Sequence, residues 1–384
     1  MKKERKIARA HRVKDGYVCS AVLTLRGNML GCARALAPQV QIIINPDITM
    51  DTLNTKDAMT ILHDKDADTS VLNGKTVAVI GYGAQGRAQA LCMRDSGVHV
   101  IIGLRPGKSW DAAVQDGFEV LTVEEAAKRG DIIHLLLPDE KHGEVYKNQI
   151  APAMKAGKTL SCSHGFAYVF KTIEPPADVD VIMIAPKGPG TEVRRVFEEG
   201  FGCPGLIAVF QNPSGKAREV ALAIAKAEGL TRGGVLECTM AQETYEDLFG
   251  EQNVLCGGLV DLMKYGFETL IEAGYPHEMA YFECVHEAKL IVDLIYAGGI
   301  QRMNAVISNT AEFGEYYNGP QILGPEVKEK MKESLRRIES GEFARVWLEE
   351  AAQGAPNLQA KRAALADHPV EIVGKRIRSL FERN

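Results

Sequence analysis

The sequence has no long apolar run, no closely paired cysteines and no strong excess of charge of either sign. No stretch of about twenty consecutive apolar residues occurs, so no segment has the composition of a membrane-spanning helix. A net charge of −5 over 384 residues gives no electrostatic argument for nucleic acid as a partner. The eight cysteines are scattered without a CxxC pair, which argues against a disulfide framework or a zinc site. We therefore expect reduced thiols in a cytoplasmic protein, long enough for two domains.

Residues 1–58 differ in character from the rest of the chain. They begin with several basic side chains, contain only short apolar runs such as Val40 to Ile44, and carry no nucleotide or metal motif. A secretory signal is disfavoured because no clean apolar stretch follows the basic start, and the low serine content counts against a transit peptide. We predict that residues 1–58 form a poorly ordered extension, and that a chain beginning at Met59 keeps its activity.

A glycine-rich turn marks the start of a nucleotide-binding domain, which we place at residues 59–239. The short apolar run Thr76 to Ile80 predicts a buried strand, and a helical pattern extends through Met93. The G-x-G-x-x-G between them is typical of dinucleotide binding, since its glycines allow a tight turn and close approach of a pyrophosphate to the helix N-terminus. The predicted cofactor contacts of this turn are Gly81, Tyr82, Gly83, Ala84, Gln85 and Gly86.

The residues after the second predicted strand indicate which dinucleotide binds. An NAD enzyme usually has an acidic residue there for the ribose 2′-hydroxyl. This chain instead has Arg105, Lys108 and Ser109 and no acid. Two cations and a hydroxyl favour the 2′-phosphate of NADP, although a basic surface loop has the same composition.

Polar side chains follow three further predicted strands. The run from Asp131 ends in Asp139, Glu140, Lys141 and His142, the next is followed by His164, and the third by Lys187 and Gly190. Ligands bind at the carboxyl ends of strands in sheets of this type. Alternating strands and helices predict an α/β, Rossmann-type domain with a mostly parallel sheet covered on both faces.

Residues 240–384 read as all-helical, with apolar-periodic segments at 241–273, 277–296, 299–317, 325–340 and 342–381. Two pairs of acids four residues apart, Asp247/Glu251 and Glu283/Glu287, each fall on one helix face. Either pair taken alone is better explained as solvated acids on a helix surface, but four acids in apolar surroundings suggest a Mg²⁺ site, because buried carboxylates need partners and Mg²⁺ prefers carboxylate oxygens. Glu268/Glu272 has the same spacing and shows how common the pattern is. Helices this apolar predict an intimate homodimer.

Taken together, these pieces resemble ketol-acid reductoisomerase (acetohydroxyacid isomeroreductase) in its short, bacterial-type form. The resemblance covers residues 59–384 almost continuously. The six motifs that carry it are Gly81–Gly86, Ser163–Phe166, Ala185–Gly190, Asp247–Gln252, Glu283–Lys289 and Ile307–Glu312.

The resemblance implies a cofactor set of NADPH and two Mg²⁺ ions per active site. It assigns Asp247 and Glu251 to the metals from one subunit, and Glu283 and Glu287 from the partner, whose knotted helical domain interleaves with the first. His164 and Lys187 become catalytic residues, with Glu287 as a further proton carrier. The implied substrate contacts are Ser308, Pro189, Leu255, Cys256 and Ala311, while Arg105 and Ser109, the loop Asp139 to His142, and Gly190 lie along NADPH.

The implied reaction is a 1,2-alkyl migration of 2-acetolactate or 2-aceto-2-hydroxybutyrate, followed by reduction to a 2,3-dihydroxy-3-methyl acid. This chemistry belongs to valine, leucine and isoleucine biosynthesis. Two alternatives stay open from the residues: a metal-independent NADP-dependent dehydrogenase of 3-hydroxy acids or 6-phosphogluconate, with a lysine-centred site, and a non-catalytic nucleotide sensor. The sequence leaves undecided the use of NADH, the preferred substrate, assembly beyond the dimer and the order of proton transfers.

Overall fold

The computed structural model of the chain describes residues 12–13, 16–17 and 59–381. Strand β1 (Arg12–Val13) pairs antiparallel with β2 (Gly16–Tyr17). The other described strands and helices lie within residues 59–381. Apart from β1 and β2, the poorly ordered extension predicted at residues 1–58 lies outside the described residues.

An eight-stranded sheet forms the centre of residues 59–239. Its spatial order is β10 (Val235–Glu237), β9 (Gly205–Gln211), β8 (Asp180–Pro186), β7 (Thr159–Cys162), β6 (Ile132–Leu135), β3 (Thr76–Ile80), β4 (His99–Gly103) and β5 (Glu119–Leu121). All neighbouring strands are parallel except β8 and β9. The predicted Rossmann-type sheet is thus confirmed. The strand order reverses direction at β3, next to β6, which is where such sheets bind ligands.

Helices cover both faces of this sheet because successive strand side chains point to opposite sides. Val77 and Val79 pack with α1 (Ala84–Asp95), α2 (Lys108–Gln115), α6 (Gly190–Glu198) and α7 (Ala217–Ala227). Ala78 and Ile80 pack on the other side with α3 (Val123–Arg129), α4 (Asp139–Val145) and α5 (Phe166–Val169). The short helix α8 (Leu230–Gly233) precedes β10. Strands buried on both faces explain the continuous apolar runs of the sequence.

The described residues after Thr239 are helical, as predicted. They form α9 (Met240–Gly250), α10 (Gly257–Glu272), α11 (His277–Tyr281), α12 (Glu287–Val306), α13 (Asn309–Ile322), α14 (Pro325–Glu339), α15 (Glu342–Ala352), α16 (Pro356–Ala366) and α17 (Pro369–Arg378). The single segment predicted at 342–381 is three helices, because Pro356 and Pro369 each begin a new one.

Two π-helical turns interrupt the helices that carry the paired acids. One spans Glu251–Leu255 after α9, and the other spans Phe282–His286 before α12. A π turn inserts one residue into the helical repeat, and such turns occur often at functional sites. Simple i,i+4 spacing therefore does not describe either acid pair fully.

The helical half packs on the sheet half through α9. Leu248 of α9 joins Phe166, Ile338 and Ala344 in a buried cluster that ties α5 to α14 and α15. A second cluster holds Phe267, Ala280, Tyr281 and Ile377 together. Within the described part of the chain, no single helix has the length and apolar character to cross a membrane. One helix pair, His277–Val306 with Asn309–Ile322, meets these criteria only jointly and is bent by 107°.

Candidate active site

The turn between β3 and α1 has the geometry that dinucleotide-binding turns require. Gly81 has a φ of 108°, which side-chain-bearing residues rarely adopt, and a Cβ there would overlap the carbonyl of Leu136. A Cβ at Gly83 would meet nothing within 4 Å, so the backbone stays open on that side. The N-terminus of the 12-residue helix α1 is thereby accessible to an anion.

The side chain of Tyr82 points away from this opening. Its hydroxyl donates a hydrogen bond to Asp116 at 2.8 Å, and Arg87 holds the same carboxylate at 2.7 and 2.9 Å. Burial and the neighbouring carboxylate raise the pKa of the Tyr82 hydroxyl. Among the predicted cofactor contacts, Tyr82 therefore offers its backbone, while its ring fixes the turn against the end of α2.

The loop after β8 lies directly on the first turn of α1. A Cβ on Gly190 would overlap the carbonyl of Ala84, and Gln85 Nε2 donates to the carbonyl oxygen of Gly188 at 2.8 Å. Lys187 and Pro189 are exposed in this loop. The loop that delivers Lys187 is thus fixed against the glycine turn.

Four side chains meet at the carboxyl edge of the sheet. Lys187 Nζ lies 2.8 Å from Glu243 Oε1 and 2.9 Å from Asp247 Oδ1. His164 Nδ1 lies 3.3 Å from Glu243 Oε2 and 3.6 Å from Asp247 Oδ2. We call His164, Lys187, Glu243 and Asp247 the edge cluster.

Local structure places each member of the edge cluster. His164 follows β7 and Lys187 follows β8, so both leave the sheet at the same edge. Helix α9 begins with a capping box, in which Gln242 N donates to Thr239 Oγ1 at 3.1 Å and Thr239 N donates to Gln242 Oε1 at 2.9 Å. Glu243 and Asp247 then lie one turn apart on the face of α9 that meets the sheet.

Glu243 is the site residue that sequence reasoning missed. Its side chain is 1% exposed and receives both Lys187 and His164, and the backbone N–H of Gly165 donates to it at 3.4 Å. The available signal was its position four residues before Asp247, which extends the acidic face by one turn.

The protonation states in the edge cluster follow from burial and charge together. Burial alone would lower the pKa of His164, but its hydrogen bond to Glu243 and the charges of Asp139 and Asp247 raise that pKa to about 9. Burial opposes the charges of Lys187 and Glu243, yet the carboxyl groups of Glu243 and Asp247 raise the pKa of Lys187. His164 and Lys187 in turn lower the pKa of Glu243. At neutral pH His164 is therefore an imidazolium and Lys187 an ammonium, and both lie beside the carboxylate of Glu243.

Two further acids carry excess negative charge beside this cluster. Asp139, predicted to lie along the cofactor, has a carboxylate oxygen 4.0 Å from His164 Nε2. Burial, together with the charges of Glu140, Glu251 and Asp247, raises the pKa of Asp139 to about 6. Burial and the charge of Asp247 also raise the pKa of Glu251. The four acidic side chains here outnumber the two cationic ones, Lys187 and His164. A further cation would therefore be attracted to this group.

The donor set suits a hard divalent cation. Ligand atoms of His164, Glu243 and Asp247 lie within 4.8 Å of one another. A protonated histidine cannot coordinate a metal, however, and Glu243 is buried and already paired. Asp247, with a side chain 31% exposed, and Glu251 offer the accessible oxygens. Carboxylate oxygens alone favour Mg²⁺ over softer metals.

Several predicted site residues stand apart from the edge cluster in a single chain. Among the described residues, no hydrogen bond or ion pair connects Glu283, Glu287 or Ser308 to it, and all three are exposed. Ser308 instead caps α13, accepting from the backbone of Ala311 at 3.2 Å. The predicted substrate and cofactor contacts that are likewise exposed are Leu255, Cys256, Ala311, Arg105, Lys108, Ser109 and Lys141.

The side chain of His142 turns inward. It is 2% exposed, and its Nε2 lies 2.8 Å from the carbonyl oxygen of Leu137. Burial lowers the pKa of His142 to about 4, so the ring is neutral. Any contact of this residue with a cofactor would have to come through the backbone of the loop.

Comparison with known proteins agrees with this geometry. The family model described as the NADPH-binding domain of acetohydroxy acid isomeroreductase matches residues 71–234, and that of the C-terminal domain of ketol-acid reductoisomerase matches residues 240–383. A ketol-acid reductoisomerase (NADP(+)) of Akkermansia muciniphila is 84% identical over 326 residues, covering 85% of this chain and all of the relative.

Two further comparisons concern an uncultured archaeon. A ketol-acid reductoisomerase (NAD(+)) of uncultured archaeon GZfos26G2 is 62% identical over 329 residues, 84% of this chain and 99% of the relative. The solved structure of an NADH-preferring ketol-acid reductoisomerase from an uncultured archean has a TM-score of 0.83 at 62% identity, covering 85% of this chain and 100% of that one. On the family models and these relatives together, the chain belongs to the ketol-acid reductoisomerase family.

Proposed function

We propose that the chain is a Mg²⁺-dependent, NADPH-using ketol-acid reductoisomerase of branched-chain amino-acid biosynthesis. Its substrates are 2-acetolactate and 2-aceto-2-hydroxybutyrate, and its products are 2,3-dihydroxy-3-methyl acids. The observation that carries the proposal is the edge cluster itself, which lies beside the loop that Gln85 ties to the dinucleotide turn. Hydride donor and acidic site thus share one edge of the sheet.

Bound Mg²⁺ would polarise the substrate carbonyl and stabilise the deprotonated hydroxyl during alkyl migration. Asp247 and Glu251 are the oxygen ligands that this chain offers. Lys187 contacts Glu243 and Asp247 at 2.8 and 2.9 Å, and His164 and Lys187 together hold the pKa of Glu243 below its ordinary value. In this proposal His164 and Lys187, with Glu287 of a second subunit, hold and move protons at the substrate oxygens.

The cofactor proposal rests on the residues after β4. Arg105, Lys108 and Ser109 are exposed at the carboxyl end of that strand, where the 2′-phosphate of NADP binds in this fold. The relatives differ in this respect, since one is named for NADP(+) and the other for NAD(+). We favour NADPH because no acid replaces the two cations.

The proposal includes a homodimer in which Glu283 and Glu287 complete the partner's metal site. Support comes from the exposed apolar side chains of α10, α12 and α13, which a monomeric protein rarely leaves uncovered. They include Leu259, Val260, Leu262, Tyr265, Leu290, Ile291, Val292, Ile295, Tyr296, Ile300, Phe313, Tyr316 and Tyr317. Tyr296 is 89% exposed. We keep the prediction of a knotted, interleaved helical domain as part of this proposal.

We also keep the prediction of a cytoplasmic enzyme. The six described cysteines are free thiols, as expected in a reducing compartment.

The test is NADPH oxidation with 2-acetolactate, with and without Mg²⁺, alongside NADPH binding measured by fluorescence. Mg²⁺-dependent oxidation with formation of the dihydroxy acid is the expected result. Binding of NADPH without turnover at any Mg²⁺ concentration would overturn the proposal and favour the sensor alternative.

A further inference from the structure

A network of hydrogen-bonded, buried polar side chains lies between α1 and the sheet, next to the candidate active site. Gln89, His134 and Ser161 are 0% exposed, and they belong to α1, β6 and β7. Polar groups are buried at such depth only when hydrogen bonds satisfy them. The chemistry proposed above gives none of these three side chains a role.

Five hydrogen bonds connect these residues to one another and to the loops of the site. Gln89 Oε1 lies 2.8 Å from His134 Nε2 and 3.1 Å from Ser163 Oγ, and Gln89 Nε2 lies 3.0 Å from Gln85 Oε1. Ser161 Oγ lies 2.8 Å from His134 Nδ1. Gln85 then donates to the carbonyl of Gly188 at 2.8 Å.

The carbonyl oxygen of Gly188 can only accept a hydrogen bond, and this fixes which atom donates in each bond of the network. Gln85 must donate to it through Nε2, so Gln85 Oε1 accepts from Gln89 Nε2. Gln89 Oε1 therefore accepts from Ser163 and from His134 Nε2–H. His134 is then left with an Nδ1 that accepts from Ser161.

This arrangement requires a neutral histidine, and the surroundings of His134 provide one. Complete burial lowers the pKa of His134 to about 3, so the ring carries a single proton. The nearby carboxyl of Glu228, 3.8 Å from His134 Nε2, is itself buried, and burial raises its pKa well above the ordinary value. Neither group brings a charge that would compete for the hydrogen bonds of Gln89.

Two branches of this hydrogen-bond network end beside the edge cluster. Ser163 is the immediate neighbour of His164, and Gly188 is the immediate neighbour of Lys187. Both branches meet at Gln89, whose helix also presents its N-terminus to the dinucleotide. The side-chain amide of Gln89 therefore connects α1, the helix proposed to bind the cofactor, to the two loops that carry His164 and Lys187.

We propose that Gln89 is a positioning residue, which fixes His164 and Lys187 relative to the bound dinucleotide through Ser163 and through Gln85 with Gly188. The inference rests on the proposed roles of His164 and Lys187. Errors of position at reacting groups act on the chemical step more than on ligand affinity. Gln89 should accordingly influence kcat and leave NADPH binding nearly unchanged.

The test compares Gln89→Met and Ser163→Ala with a matched control, Ser161→Ala. All three variants remove hydrogen bonds of the same buried network, but Ser161 lies at the end of the network that is away from the candidate active site. We expect kcat to fall about tenfold in Gln89→Met and about three- to tenfold in Ser163→Ala, with the Kd for NADPH within about twofold of wild type. Ser161→Ala should melt a few degrees lower and keep its kcat.

A second readout separates slow chemistry from general damage. With NADPH deuterated at C4 of the nicotinamide, the isotope effect on kcat should be larger in Gln89→Met and Ser163→Ala than in wild type. Equal slowing in Ser161→Ala and Ser163→Ala, or an unchanged kcat in Gln89→Met, would overturn the positioning role. Lys187→Met is included as a reference: full turnover in that variant would instead overturn the site assignment on which the inference rests.

Discussion

The two halves of the chain differ in how much of the site each completes alone. In the sheet half, the loop of Lys187 contacts the first turn of α1 directly, and the loop of His164 contacts the same helix through Ser163 and Gln89. In the helical half, α9 brings Glu243 and Asp247 to that edge, while Glu283, Glu287 and Ser308 remain exposed and unconnected to it. In the function proposed above, one chain supplies every residue of the dinucleotide end of the site, whereas the metal end takes Glu283 and Glu287 from a second subunit.

The distribution of apolar side chains shows the same difference. Both faces of the sheet are closed by helices, and the strand residues Val79, Ile101 and Ile133 are 0% exposed. The helices α10, α12 and α13 leave large side chains such as Tyr296 and Ile300 uncovered. Burying such side chains contributes about 25 cal/mol per Å² of apolar area, so a partner surface that covered these three helices would add stability.

The largest effect is expected at Asp247, where the two halves meet. Asp247→Asn removes the carboxylate that Lys187 contacts and that the proposed Mg²⁺ site uses, so Mg²⁺-dependent turnover should fall by at least about a hundredfold. NADPH binding should persist because the glycine turn is untouched. Steady-state NADPH oxidation and cofactor fluorescence measure the two effects separately.

Glu246→Gln is the matched control for this variant. Glu246 is the exposed neighbour of Asp247 on α9, and the same acid-to-amide change there should leave turnover unchanged. An equal loss in both variants would mean that α9 is damaged rather than the site.

A smaller effect is expected at Lys187. Lys187→Met leaves the carboxylate of Glu243, 1% exposed, without its ammonium partner. Turnover should fall by about thirtyfold and the melting temperature should drop, since a buried charge that loses its partner is destabilising. Lys155→Met, at an exposed loop position, should change neither quantity. Wild-type kinetics in Lys187→Met would remove Lys187 from the site.

The cofactor preference tests the sheet half alone. Replacing Arg105 and Lys108 together by Ala should lower kcat/KM for NADPH by about tenfold and leave kcat/KM for NADH unchanged, because only the 2′-phosphate is lost as a partner. Measuring both cofactors at fixed 2-acetolactate gives the ratio. A parallel loss with NADH would show that the loop shapes the site generally and does not read the phosphate.

The smallest effect concerns stability and pH in Mg²⁺-free protein. The folded pKa of His164, about 9, lies above its ordinary value of 6.5, so its contribution to stability is full below pH 6.5 and is lost as pH rises through about 9. Denaturant unfolding should show at most about 3 kcal/mol lost over this range. His164→Asn should lack that loss. If the free energy of unfolding of His164→Asn showed the same pH dependence, groups other than His164 would be responsible for it.

Much of the sheet half could be predicted from sequence because its signals are local. Apolar runs gave β3, β4, β6 and β8, and the glycine spacing predicted a turn in which Gly81 adopts a φ of 108°. The polar residues at strand ends were predicted to line the site, and His164 and Lys187 do meet there.

The remaining features depend on contacts between distant segments. Glu243 lies 56 residues from Lys187 and 79 from His164, and no periodicity connects them. The π turns at Glu251–Leu255 and Phe282–His286 are equally hidden, since their sequences read as ordinary helix. Gln89 and His134 are 45 residues apart in the sequence, and only packing brings them to 2.8 Å.

The most direct test of the account is complementation between two inactive subunits. Asp247→Asn and Glu283→Gln chains with different affinity tags would be co-expressed, and the mixed dimer purified. If each metal site takes Asp247 from one subunit and Glu283 from the other, one of the two sites in the mixed dimer is intact, and activity returns to about half that of wild type. A mixed dimer as inactive as both parent homodimers would contradict a site shared between subunits.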